Sequence, residues 1–219
     1  MTKKTTKKKT ARAKRSPQSA NKSGEKALEQ GLDRKHVVPR LIGNPDDFLF
    51  VGGLAGTAKD LAHITQDGDN LYALAGAMGA ATMMGLGLAL AQPDRRVLVA
   101  TGDGELLMNV GALATISVIN PPNLSILCVD NGHYGETGYQ LSHTSLGVDL
   151  EQIAIGSGIR TTRTVSTEAE IDGAARVLRQ SNGTSFVLVK VTPTDPEKYK
   201  RDMRPAAVRH RFRRALLGG

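Results

Sequence analysis

Along the chain, short apolar runs alternate with longer stretches in which apolar residues recur three or four positions apart. Residues 48–51, 97–101, 124–129 and 185–191 are near-continuous apolar runs of strand length, and residues 159–165 form a more polar fifth. Such runs, bounded by Gly, Pro and Asp, read as strands buried on both faces. Between them, helical spacing predicts helices over residues 58–64 with Thr57 as cap, 76–91, 106–119, 149–157 and a capped 167–180. Residues 52–56 read as a loop and residues 66–70 as a polar turn. The many Gly and Ala residues of 76–91 predict a helix buried on most of its sides. Residues 205–217 predict a basic amphipathic helix whose apolar face is Val208, Phe212, Leu216 and Leu217. Strands alternating with helices predict the α/β class: a mostly parallel sheet with helices on both faces.

Charge divides the chain differently. The net charge is +8, yet residues 1–23 hold nine Lys or Arg and no acid, and residues 196–219 hold eight against two acids. The stretch between carries twelve basic and nineteen acidic residues, so the body is acidic and the arms are basic. Residues 1–35 are therefore expected to be a basic disordered arm containing a weak helical stretch at 24–30. The ordered domain, 36–219, is expected to begin near His36. No apolar block suits a signal peptide or membrane span, and the lone Cys128 sits in an apolar strand. A cytoplasmic protein is the expectation.

The chemistry concentrates at two strand ends. Gly102-Asp103-Gly104 closes the run 97–101, and Asp130-Asn131-Gly132 closes 124–129. Ligands of open α/β sheets collect at such carboxyl ends. Hard oxygen donors beside glycines suit Mg²⁺ held jointly by protein and a phosphorylated ligand.

These motifs, with Leu74-Ala-Gly-Ala-Met-Gly-Ala-Ala81 upstream, resemble those of the thiamine diphosphate enzymes over roughly residues 36–216. The run from Asp130 to Gln140 is similar to the small subunits of sulfopyruvate and phosphonopyruvate decarboxylases. The resemblance implies the diphosphate-binding domain of the thiamine diphosphate-binding fold, with thiamine diphosphate and Mg²⁺ as cofactors. It implies Mg²⁺ ligation by the Asp103 carboxylate, the Asn131 side-chain oxygen and the His133 carbonyl. Gly102, Gly104 and Glu105 would meet the diphosphate, with Tyr134 beside them. Gly76, Ala77 and Met78 would hold the pyrimidine, Met78 wedging the cofactor into a bent shape. His133, Glu136, Thr137 and His143 are candidates for proton transfer or substrate contact, and His63 could also face the cleft. Three departures stand out: Glu105 where the family shows Ser or Ala, Ala77 for a serine, and Asp130 for a first asparagine. The Glu105 carboxylate is expected to point away from the phosphate.

The family also needs a pyrimidine-binding domain that supplies a glutamate. The resemblance therefore implies an alpha-subunit partner, a hetero-oligomer and a small 2-oxoacid substrate decarboxylated to an aldehyde. Alternatives are a 2-oxoacid oxidoreductase subunit, a carboligase subunit, or a nucleotide- or nucleic-acid-binding accessory protein. No phosphate-loop motif and no dinucleotide-binding glycine pattern supports the last of these.

Overall fold

A computed structural model of the chain describes residues 31–180 and 182–218. The expected disordered arm falls mostly outside them, as does the helical stretch at 24–30. Six parallel strands form one sheet in the order β2-β1-β3-β4-β8-β7: β1 (Phe48–Gly52), β2 (Leu71–Ala73), β3 (Arg96–Gly102), β4 (Leu124–Asp130), β7 (Thr161–Val165) and β8 (Ser185–Lys190). A two-stranded antiparallel ribbon, β5 (His133–Tyr134) and β6 (Gln140–Leu141), stands apart.

Alternation along each strand builds two cores. Phe48, Phe50, Leu98, Ala100, Leu127 and Val187 face one side, under α1 (Arg34–Ile42), α2 (Ala55–Thr65) and α7 (Ile171–Gln180). Leu49, Val51, Val97, Val99, Ile126 and Phe186 face the other. There they meet α3 (Ala81–Ala91), α4 (Asp103–Leu107), α5 (Ala112–Ile119), α6 (Leu150–Gly156) and α8 (Pro205–Leu217). Successive strand side chains point to opposite faces, so a run without polar breaks must be covered twice. In α7 the buried positions Ile171, Ala174, Ala175 and Leu178 form one helical stripe. Thr167 and Glu170 make the capping box ahead of it.

Several boundaries differ from the sequence reading, each for a local reason. His36 lies inside α1, and Arg34, assigned to the arm, is buried in an ion pair with Asp60. Helix α2 starts at Ala55 rather than residue 58, and Thr57 is in its first turn, its hydroxyl donating to the Leu54 carbonyl at 3.1 Å. Residues 76–80 are not helical, so α3 begins only at Ala81. Only one side of α3 is buried; Met83, Met84 and Leu90 are exposed. The helix expected over 106–119 is split into α4 and α5 by a turn. Strand β2 and the β5–β6 ribbon, two or three residues per strand, lie below the length at which alternation is readable.

The carboxyl-terminal segment straps the β2 edge. The ring of Phe212 in α8 meets Tyr72 of β2 edge-on, 5.6 Å between centroids. Arg211 pairs with Asp67 at 3.0 Å, and Arg201 donates to the Leu74 carbonyl at 3.1 Å. Gly85 lets α3 lie against the sheet, since a Cβ there would come within 2.1 Å of the Val99 side chain. Gly85→Ala is expected to lower stability by about 1–3 kcal/mol through overpacking, read as a reduced urea midpoint. An unchanged midpoint would show that α3 sits further out.

Candidate functional site

The order of the sheet creates the site. From β1 the chain crosses to β2 on one side, whereas from β3 it crosses to β4 on the other. The carboxyl ends of β1 and β3 therefore splay their connecting loops apart and leave a crevice, the usual ligand position in open α/β sheets. A cavity of about 210 Å³ lies there. Its walls include residues 54–57 after β1, 102–105 after β3, Asn131, and residues 133–137 after β4.

Asp103 opens α4 and is buried. Its Oδ2 accepts hydrogen bonds from the Ser142 hydroxyl and, at 3.2 Å, from that of Thr144. The same Thr144 oxygen lies 2.7 Å from Oδ1 of Asp130, whose other oxygen pairs with Lys190. Thr144 has one hydroxyl proton for the two carboxylates, so it can donate to only one of them at a time, and Lys190 balances the charge of only one of the pair. Burial first, and then the Asp130 charge, push the Asp103 carboxyl up to about 6, against the hydrogen bonds from Ser142 and Thr144. Asp130 also accepts from the Gly132 amide at 2.9 Å, which fixes the turn after β4.

That turn carries the other expected ligands. The Asn131 Oδ1 accepts from the His133 amide at 3.1 Å, and His133 Nδ1 lies 2.8 Å from the Asn131 carbonyl. Asn131 and His133 line the cavity together with Asp103. Among the described residues no three His, Cys, Asp or Glu side chains cluster as a metal site. The expected ligand set has only one acid, complemented by an amide and a carbonyl. Tyr134 lies against Gly104 so closely that a Cβ would fall 2.3 Å from its ring. Its hydroxyl bonds His143 Nδ1 at 3.0 Å.

A family model for the thiamine pyrophosphate (diphosphate) enzymes, C-terminal TPP-binding domain, matches residues 51–189. The sulfopyruvate decarboxylase subunit beta of Methanocaldococcus jannaschii is 33% identical over 184 residues, covering 84% of this chain and 96% of that protein. The phosphonopyruvate decarboxylase of Streptomyces viridochromogenes is 34% identical over 81% of this chain but only 44% of its own length. Among solved structures, a thiamine diphosphate-dependent 4-hydroxybenzoylformate decarboxylase from Rhodococcus jostii superposes with a TM-score of 0.61 at 21% identity. The alignment takes in 78% of this chain and 34% of that one, so the chain spans about a third of that structure.

The chain belongs to the thiamine pyrophosphate enzymes.

In this thiamine pyrophosphate enzyme domain Glu105, expected only to avoid the phosphate, has partners of its own. Its carboxylate turns across the crevice to the β1 loop. There Oε2 accepts from the Leu54 amide at 3.0 Å, the Thr101 hydroxyl at 3.0 Å and the Gly102 amide at 3.4 Å. Oε1 is buried without a partner among the described residues, and burial pushes the carboxyl up. The side chain thus ties the β1 and β3 loops together. Gly53 makes room for it, because a Cβ there would lie 1.9 Å from Oε2.

The other candidates are placed unevenly. Met78, 40% exposed, lines the cavity, and Asn109 steadies its loop by donating to the Gly79 carbonyl at 3.0 Å. Gly76 and Ala77 are exposed in that loop and do not line the cavity. Glu136 and Thr137 line it, Thr137 bonding Gln140 at 2.9 Å. His63 instead meets the Tyr199 ring, and His143 stays outside the lining. The sequence reading missed Ser142, Thr144 and Lys190, which manage the two acids, and the lining residues Arg34, Lys59 and Asp195. Only the position of Thr144 and Ser142 soon after a metal-type turn could have flagged any of them. No helix of the described residues is long and apolar enough to cross a membrane.

Gly53→Ala is expected to destabilise the chain by about 1–3 kcal/mol by displacing Glu105, and in a Glu105→Ser background most of that cost should vanish. Additive effects in the double-mutant cycle, measured by denaturant unfolding, would show that the two residues do not interlock.

Proposed function

We propose that this chain is the diphosphate-binding subunit of a heteromeric, Mg²⁺-dependent 2-oxoacid decarboxylase. Its substrate would be a short 2-oxoacid with a second anionic group, of the sulfopyruvate or phosphonopyruvate kind. The observation that carries the reading is the switch-point cavity floored by buried Asp103, in a chain that matches a decarboxylase beta subunit over nearly its whole length.

The residues fit the cofactor and its metal. Two neighbouring buried acids with one lysine between them, beside an amide oxygen, make a corner that a divalent cation would neutralise. Asp103, the Asn131 side chain and the His133 carbonyl would hold Mg²⁺, and the amides of Gly104 and Glu105 would face the diphosphate. Bound thiamine diphosphate supplies the electron sink for decarboxylation. Met78 would set its bend from the cavity wall, and the Gly76 carbonyl would orient the pyrimidine with Ala77 alongside. His133, Glu136, Thr137 and Tyr134 would form the wall that positions the 2-oxoacid and moves protons. Two features support a partner chain: the likeness to proteins named as beta subunits, and the exposed methionines, Met78 in the cavity wall and Met83 and Met84 on the helix that follows it. That partner would supply the glutamate that faces the pyrimidine.

A 2-oxoglutarate synthase subunit from M. jannaschii, 27% identical over 70% of this chain, supports an oxidative second reading. Product analysis separates the two: decarboxylation to an aldehyde needs no electron acceptor.

The complex of this chain with its partner is expected to bind thiamine diphosphate with Mg²⁺ and to release CO₂ from sulfopyruvate or phosphonopyruvate without added oxidant. Asp103→Ala should weaken cofactor binding by at least about 100-fold in calorimetric titration. Equal affinity in the two proteins would remove the metal assignment.

A further inference from the structure

Arg34 lies outside the segment matched by the family model, residues 51–189, yet it reaches the same cavity. It is 4% exposed. Asp60 holds the guanidinium side-on, its Oδ2 accepting from Nε at 3.2 Å and from Nη2 at 2.5 Å. The guanidinium also rests against the backbone of α2 at Gly56, where a Cβ would lie 2.6 Å from Nη2 and 2.8 Å from Nη1. Nη1 makes no hydrogen bond among the described residues. Lys59, half-buried, lines the same wall and makes no ion pair among the described residues. Beside them the first turn of α2 has no side-chain cap, so its backbone N–H groups are open to an acceptor.

A buried ion pair gives little net stability over apolar groups of the same volume, so its presence here calls for a further role. Asp60 fixes one edge of a planar fork and leaves the other edge free, the arrangement that suits a phosphate oxygen. The wall's location selects which phosphate. Arg34 and Lys59 come from the face of the sheet covered by α1 and α2, whereas the Met78 loop leads into α3 on the opposite face. A cofactor with its rings at Met78 and its metal at Asp103 would direct its far end to Arg34.

We propose that Arg34, oriented by Asp60 and assisted by Lys59, grips the terminal phosphate of the bound diphosphate. This rests on the thiamine diphosphate reading of the cavity and assigns to it a phosphate clamp from outside the common domain.

The test uses the complex of the full chain with its partner and measures calorimetric affinities for thiamine diphosphate and thiamine monophosphate, both with Mg²⁺. Arg34→Met is paired with Asp60→Asn so that no unpaired charge is buried, and Lys59→Met is made separately because that side chain is only half-buried. The double variant is expected to bind thiamine diphosphate about tenfold or more weakly, and Lys59→Met less so, with thiamine monophosphate affinity unchanged in both. Wild-type diphosphate affinity in the double variant, or equal losses for the two ligands, would overturn the clamp. A raised KM for the 2-oxoacid with unchanged cofactor affinity would also overturn it, assigning Arg34 to substrate. If Asp103→Ala weakens binding as expected in those cases, the cofactor reading stands without the clamp; a wild-type complex that binds neither ligand ends both.

Discussion

The reversal of crossover direction between the parallel strands β1 and β3 is the constraint on which the rest depends. Two adjacent parallel strands whose crossovers leave in opposite senses cannot cover the gap between their carboxyl ends. The sheet therefore provides a crevice before any functional side chain is considered. Helix starts and loops gather at its rim, and the side chains there face a cavity rather than a core. The acids placed in it are costly to the fold: Asp103 is buried next to Asp130, with Ser142, Thr144 and Lys190 enlisted to hold the two apart from wholesale repulsion. An apolar pair would be easier to fold. Charge concentrated at this crevice suits the proposed cation site, and its cost is borne by the fold.

Much of this was legible in the sequence, and each failure has its own physical cause. The four apolar strands were readable because burial on both faces keeps polar residues out of four consecutive positions in each. The Gly-Asp-Gly and Asp-Asn-Gly turns were readable because they follow those strands directly. Strand β2 and the β5–β6 ribbon were not, since two or three residues carry no period. The methionine face of α3 was misread for a different reason: small residues reveal that one side of a helix approaches its neighbour closely, as Gly85 does against Val99, and say nothing of the opposite side. Arg34 was assigned to a solvated basic arm because charge runs are read by sign and density. Its single distant partner, Asp60, cannot be seen from local pattern.

Glu105 shows how a carboxylate can be absorbed at the rim of a binding crevice. At this position it brings bulk, charge and a need for donors. The chain meets the first with a missing side chain at Gly53 and the last with the amides of Leu54 and Gly102 and the hydroxyl of Thr101. The sequence reading expected the carboxylate only to avoid the phosphate. The structure gives it a task, bracing the two loops that bound the crevice, at the cost of one buried oxygen left without a partner.

The strap of α8 across β2 has a consequence for biogenesis. Ribosomal synthesis delivers β2 well before α8, and the three-residue edge with its Tyr72 ring waits uncovered while the remainder of the sheet is translated. An open parallel edge is a template for pairing with another nascent chain. Between translation of those two elements the β2 edge therefore lacks the cover that α8 gives it in the folded chain.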